Sequence, residues 1–413
     1  MCWSLLRVPA VPQAPTGDVD LVVRTGDLAG LRTVLAEHGF VPLPGWEAPP
    51  RLLFLSYHRE SANCLLLDVT DEVCFGPGGV FRTELAGPVL ERSVSDAGMR
   101  VPHPDDAFWA LLLHCLLDKG FVPPHYQLRL MELAAAASQT GPFARLLDDR
   151  SPPGWSAARL RAAAAAADWA QLDAGAPAWA HEWRGSLGWL ARRRPLVRTG
   201  RRLLRSPGLL RRRYGVSVAL LGPDGAGKST LAAGIEQAWP LAVRRVYMGL
   251  WKSGPPGVPE LPGLAQLGRV PTAWLRYLRG SAAQLRGHLV VFDRYVHDAR
   301  RPPQPPHVAL KVAYMWLLAR CIPAPDLVLL LDLPGSVSSS RKKENSLAQA
   351  DRERREYRAL AGQLRHTHVL DASADAEQVR RQALEIIWQR CTRRWAQNNT
   401  NRIRPGTRHR SAG

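Results

Sequence analysis

The sequence has no apolar run near the roughly 18 residues that a membrane-spanning helix needs, so it offers no candidate span. Its six cysteines (Cys2, Cys64, Cys74, Cys115, Cys321 and Cys391) include no C-x-x-C pair, which excludes a structural zinc site or a disulfide framework of the usual spacing. Residues Met1 to Pro12 are too short and too proline-broken to read as a secretory signal, and a reducing cytoplasm is the expected home. Lysine is scarce as well. Of 55 basic residues only Lys119, Lys228, Lys252, Lys311, Lys342 and Lys343 are lysine, against 36 acidic residues, so the net charge of +19 is almost wholly arginine. With alanine and proline also abundant, the arginine excess fits a coding bias as well as a functional basic surface, and no specific nucleic-acid partner is expected. A basic surface still attracts phosphorylated ligands, polyanions or anionic membrane.

What is present divides into four segments, and 413 residues suit two domains with a connector. Residues 1–140 alternate strand-like runs (Leu21–Val23, Arg51–Leu55, Cys64–Leu67) with helical stretches (Asp27–His38, Asp105–Asp118). Residues 141–214 turn helical and low in complexity, with an alanine run at Ala162–Ala167 and eleven arginines from Arg184 to Arg213. Tryptophans and leucines interleave those arginines. Two readings follow: helices lying peripherally on anionic membrane, or a solvated connector packing its leucines on one domain. Over 215–392, apolar runs at Val216–Leu221, Leu289–Phe292 and Leu327–Leu331 alternate with helical patterns, which predicts parallel strands with crossover helices. Residues 393–413 are polar, basic and aperiodic, and are expected to be disordered.

The sharpest motif lies at the head of the third segment. The strand Val216–Leu221 runs directly into Gly222-Pro223-Asp224-Gly225-Ala226-Gly227-Lys228-Ser229-Thr230, a complete G-x-x-x-x-G-K-S phosphate loop. Its glycines let backbone N–H groups point at phosphate oxygens, and the following helix presents its positive dipole end to the same anion. Lys228 is expected on the outer phosphates of ATP and Ser229 on magnesium. Downstream, Leu289–Phe292 ends in Asp293-Arg294-Tyr295, which places a carboxylate beside the same ion. After the third strand, Arg341-Lys342-Lys343-Glu344 and Asp351–Tyr357 suggest a basic helical hairpin closing over the phosphates.

Gly222–Thr230, Asp293–Tyr295 and the segment around Arg341 occur in the order and spacing of thymidylate kinase and its relatives among the nucleoside monophosphate kinases, which this region resembles over about 175 residues. The pair His297-Asp298 after D-R-Y resembles the thymidylate-kinase-like proteins of bacterial surface-polysaccharide functions in particular. The resemblance implies an α/β P-loop sheet with flanking helices and a helical lid. It implies that Gly222 to Thr230 hold ATP and magnesium, that Asp293 and Arg294 face the acceptor and the metal, and that Asp224 sits near the acceptor. With no arginine in the loop, the catalytic arginine is expected from the lid: Arg341 first, Arg354 or Arg355 next. One departure bears on substrate. Arg300-Arg-Pro-Pro-Gln-Pro-Pro306 replaces the serine-bearing helix that shapes a thymine pocket, and so many prolines cannot continue a helix.

In the first segment, Asp18 and Asp20 share one face of a strand because side chains alternate with period two. Asp68 closes the run Cys64–Leu67 and could complete a metal-binding trio. This resembles the α+β nucleotidyltransferase fold, and the stretch Pro102–His114 with its helical sequel resembles the helical part of uncharacterised nucleotidyltransferase-like proteins. The glycine-serine turn that holds the triphosphate in that family is missing from Leu5–Thr16. His114 reads as a satisfied core histidine.

The expected protein is thus a nucleotidyltransferase-like domain, a helical connector and a kinase domain. It would transfer a phosphoryl group from magnesium ATP to a small acceptor, a dTMP-like nucleotide or a sugar phosphate, as a monomer or a homodimer. Two other readings stay open: a metal-dependent nucleotidyltransferase with the P-loop half as nucleotide sensor, and a non-catalytic ATP-binding factor in surface-polysaccharide biosynthesis.

Overall fold

The computed structural model describes residues 1–7, 18–43, 51–61, 63–77, 79–138, 141–185, 214–249, 269–300, 321–337 and 347–403. The chain forms two compact units, Met1–Ser56 with Leu65–Ser206 and Tyr57–Cys64 with Pro207–Gly413.

The first unit is built on a mixed sheet of β1 (Trp3–Leu5), β2 (Asp18–Val23), β3 (Val41–Pro42), β4 (Arg51–His58) and β5 (Asn63–Thr70), in the order β1-β2-β5-β4-β3. Alternation along β2 puts Val19, Leu21 and Val23 on one face, where they join a core with Leu31 and Leu35 of α1 (Leu28–Glu37). Asp18, Asp20 and Val22 take the other face, and Val22 is buried against the helical part of the unit. β2 runs antiparallel to β1 and parallel to β5, and the parallel register sets Asp20 beside Asp68.

Two short hairpins follow, β6 (Cys74–Phe75) with β7 (Phe81–Arg82) and β8 (Val94–Asp96) with β9 (Met99–Val101); α2 (Ala86–Arg92) lies between them in sequence. The helices α3 (Pro104–Leu113), α4 (Pro124–Ala136), α5 (Pro142–Arg150), α6 (Ala157–Ala165) and α7 (Trp169–Gly185) then bury Phe108, Trp109, Phe143, Trp179 and Trp183 in one core. Pro104 at the first helical position starts α3, and the Ser156 hydroxyl caps α6 by accepting from Arg159 N at 3.2 Å. The segment read as a connector is described only to Gly185, and there its three helices belong to this core. The arginine-rich stretch beyond Gly185 lies outside the described residues.

The second unit is α/β. Its sheet holds β10 (Ser217–Leu221), β11 (Val243–Tyr247), β12 (Leu289–Asp293), β13 (Leu327–Asp332) and β14 (Thr367–Asp371) in the order β11-β12-β10-β13-β14, every pair parallel. Central β10 is buried along its whole length, as a strand covered on both faces must be. The flanking helices are α8 (Lys228–Ala238), α9 (Arg269–Leu285), α10 (Leu347–Gln363) and α11 (Ala376–Ile403).

α11 corrects the expectation of a structureless tail from 393. The helix continues to Ile403 because Trp395 is buried, with its indole N–H donating to Tyr214 O at 3.0 Å. The Arg394 guanidinium also closes on Asp326, a carboxylate that already accepts from Ser217 N and Oγ at 2.9 Å each. Aperiodic composition concealed two anchoring residues.

Candidate functional site

In a parallel sheet the carboxyl ends of the strands share one edge, and there this unit collects its polar side chains. The edge receives the loop after β10, Tyr247 from β11, Asp293 from β12 and Asp332 from β13. The register pairs Leu220 with Asp293 and Tyr247 with Asp293, so the three strands end within one residue of each other.

The loop has the backbone a phosphate cradle needs. Gly222, Gly225 and Gly227 have φ of 143°, 85° and 86°, values that only glycine adopts without strain. At Gly222 a Cβ would also meet Leu331 O at 2.6 Å, so its backbone packs directly on β13. Gly227 caps α8, Lys228 is its first residue, and Ala226 is buried beneath the loop. Lys228 is itself buried, and its ammonium donates to the carbonyls of Gly222 at 2.8 Å and Pro223 at 2.7 Å. Burial, reinforced by the Arg294 charge, pulls its pKa below the ordinary lysine value, while Asp224 at 3.7 Å opposes the shift.

Ser229 and Asp293, expected on one magnesium ion, meet here: the Ser229 hydroxyl donates to Asp293 Oδ2 at 3.0 Å. Thr230 follows Ser229 in the first turn of α8. Arg294 takes a left-handed backbone, φ 65°, and its guanidinium pairs with Asp224 and lies 3.8 Å from Asp298 Oδ2. Burial works against that guanidinium's charge, yet the two carboxylates hold its pKa above the ordinary value. Asp224, Lys228, Ser229, Asp293 and Arg294 are therefore one connected cluster.

Three parts of this edge were not singled out from the sequence. Tyr247 packs under the Arg276 guanidinium, 5.6 Å from ring centroid to Cζ, and Arg276 donates to Gly249 O at 3.1 Å. Asp332 accepts two bonds from Arg354, at 2.7 and 2.8 Å, and one from Arg358 at 2.8 Å. The Arg354 hydrogen bond is the main reason its carboxyl titrates below the usual range. Asp332 ends an apolar strand just as Asp293 does, and that signal was readable. Arg354, a candidate for the catalytic arginine, is thus engaged with Asp332. Arg341 lies outside the described residues, as does the proline-rich stretch after Arg300.

In the first unit the predicted acids do converge. Asp18, Asp20 and Asp68 each offer a carboxylate oxygen within 4.8 Å of the others. Arg7, which the sequence did not mark, pairs with both oxygens of Asp20, one at 2.8 Å, and Arg51 stands 3.5 Å from Asp68 Oδ2. Burial pushes the Asp68 carboxyl up to about 6, with Arg51 opposing. His114 Nδ1 lies 2.5 Å from Asp118 Oδ2, within a π-helical turn over His114–Lys119 that extends α3.

No protein-family model matches the chain. Thymidylate kinase of Xanthomonas campestris pv. campestris is 33% identical over 196 residues, covering 42% of this chain and 83% of that enzyme. The thymidylate kinases of Xanthomonas oryzae pv. oryzae and Gluconobacter oxydans are 32% and 30% identical, with 83% and 84% of their lengths matched. A solved thymidylate kinase structure from Candida albicans is 19% identical and aligns with a TM-score of 0.36 over 43% of this chain and 93% of that one. Because most of the Xanthomonas enzyme is matched with a third of the aligned positions identical, the chain belongs to the thymidylate kinase family and is a kinase of the nucleoside monophosphate kinase type.

Proposed function

We propose that the second unit transfers the γ-phosphoryl group of ATP to a small phosphorylated acceptor, a dTMP-like nucleotide or a sugar phosphate. The observation that carries this reading is the Ser229–Asp293 hydrogen bond at 3.0 Å beside a loop whose three glycines have positive φ. A hydroxyl and a carboxylate at the strand edge form the oxygen donor set that magnesium prefers, so Ser229 and Asp293 would hold the ion. Magnesium ATP supplies the phosphoryl group and part of the charge compensation.

The remaining work falls to the chain. Backbone N–H groups of the loop and the start of α8 bind the phosphates, and Lys228 exchanges its two loop carbonyls for phosphate oxygens. Arg294, held by Asp224, faces the phosphate of the acceptor. Tyr247 and Arg276 line the same edge and help to orient that acceptor. In-line attack then needs positioning more than covalent catalysis. The six cysteines are free, which suits a reducing cytoplasm, and among the described residues no helix is long and apolar enough to cross a membrane.

The test is ADP and pyrophosphate release from magnesium ATP with dTMP, other nucleoside monophosphates and sugar phosphates offered in turn, for wild type and Lys228→Ala. Acceptor-dependent ADP that Lys228→Ala abolishes is expected. Full activity in that variant would end the proposal, and ATP binding without either product would favour a sensor or an assembly factor.

A second reading concerns the first unit, where the convergence of Asp18, Asp20 and Asp68 favours a divalent-metal site of nucleotidyltransferase type. It predicts pyrophosphate release that depends on Asp18 and Asp20.

A further inference from the structure

The sheet order of the first unit aligns four charged side chains. β1, β2, β5 and β4 are successive neighbours, and in that order across the sheet come Arg7, just beyond β1, then Asp20, Asp68 and Arg51. Arg7 follows β1, where Leu6 N still donates to Asp20 O at 2.9 Å, and Arg51 is the first residue of β4. Asp20 and Asp68 are direct register partners. Two carboxylates thus sit between two guanidiniums in one row, with Asp18 beside Asp20's end of it.

The row is not internally satisfied. Asp68 is buried to more than nine-tenths, yet its Oδ1 has no hydrogen-bond partner among the described residues, and its approach to Arg51 is an ion pair at 3.5 Å without a hydrogen bond. Leaving such an oxygen unpaired is costly unless another ligand completes it. A divalent cation on the inner carboxylates would supply that ligand. The two flanking guanidiniums would then lose their aspartate partners and turn N–H donors outward on either side of the metal. Forked N–H donors flanking a cation are the arrangement that binds a polyphosphate chain.

Resting on the metal-site reading above, we propose that Arg7 and Arg51 anchor the phosphates of a metal-bound nucleoside triphosphate in the first unit, taking the place of the missing glycine-serine turn. Each arginine pairs with its aspartate while the metal is absent and exchanges it for phosphate oxygen when the metal and triphosphate arrive. In this role they are binding residues.

The exchange has a signature that a purely structural ion pair lacks: deleting the arginine must move metal affinity and nucleotide affinity in opposite directions. The measurement uses the full chain carrying Lys228→Ala and Asp293→Asn to silence the P-loop site. Manganese binding is followed by electron paramagnetic resonance, alone and with α,β-methylene ATP. Adding Arg7→Ala is expected to tighten bare manganese severalfold, because a competing cation is gone. The same change should weaken the manganese-nucleotide complex about tenfold or more, the loss expected for a charge-assisted hydrogen bond. Arg51→Ala should shift both in the same senses, and Arg7→Lys should recover part of the nucleotide affinity.

Nucleotide affinity that is unchanged in both variants overturns the proposal, as does a parallel fall of metal and nucleotide affinity. Manganese binding that Asp20→Asn and Asp68→Asn leave untouched overturns the metal-site reading itself. If those two substitutions abolish manganese binding while the arginines have no effect, only the present inference fails.

Discussion

Lys228 illustrates how a single side chain is held ready without its substrate. Its ammonium is buried and rests on two carbonyls of its own loop, so a phosphate entering the cradle meets a desolvated donor already in place. Lys228→Ala should therefore lower turnover by at least about 10²–10³-fold, the scale of losing one preorganised electrostatic donor, with an unchanged far-UV circular dichroism spectrum. Arg92 has a structural counterpart role. It reaches Asp105 at 2.9 Å and Asp106 at 3.3 Å, and both carboxylates are fully buried at the start of α3. Removing a guanidinium from buried acids leaves uncompensated charge, so Arg92→Ala should cost about 3 kcal/mol in urea unfolding of the first unit. Burial pushes the Asp106 carboxyl up to about 6, with Arg92 opposing. Asp106 keeps its proton in the folded chain over a range, from about pH 4 to 6, in which the unfolded chain has released it. Its contribution is thus full below about pH 4 and is lost as pH rises through 6. Asp106→Asn should flatten that part of the stability profile relative to wild type, and identical profiles would refute the assignment.

At the scale of the element, α11 carries a load that its composition hides. Arg394 and Trp395 tie its last turns to Asp326, Gly215 and Tyr214, at the root of the central strand β10. Ending the chain after Thr392 should destabilise the second unit by more than Trp395→Ala alone, itself about 3–5 kcal/mol for an emptied aromatic site. Thermal unfolding of both variants checks this, and an unaltered midpoint after truncation would return the segment to the status of a tail. The edge strands β11 and β14 teach a related point. Val243-Arg-Arg-Val-Tyr247 and Thr367-His-Val-Leu-Asp371 are half exposed, so they lack the continuous apolar run that marks β10, β12 and β13. An edge strand is recruited by its neighbour's ladder more than by its own pattern.

At the scale of the molecule, two compact units with separate cores should unfold in two resolvable steps. Magnesium ATP should raise only the step belonging to the P-loop unit, by about 2.7 kcal/mol at a concentration 100 times the dissociation constant. Calorimetry with and without nucleotide distinguishes this from a single cooperative transition. In Lys228→Ala the shift should shrink, while the step of the first unit stays where it was.

The phosphate loop was legible because its chemistry is local: three closely spaced glycines, a lysine and a hydroxyl residue act from one turn of chain, and strand-loop-helix context is written on either side. Asp293 was legible for a similar reason, as an acid ending an apolar strand. Asp18, Asp20 and Asp68 were readable as candidates, since period two and a strand end are sequence properties. What only the tertiary structure decided is adjacency between distant segments. Strand order put Arg7 and Arg51 on either side of Asp20 and Asp68, while the packing of α10 and α11 on the sheet tied Arg354 to Asp332 and fastened Arg394 to Asp326. Ion pairs of that kind depend on which strands and helices become neighbours, and no spacing along the chain encodes that.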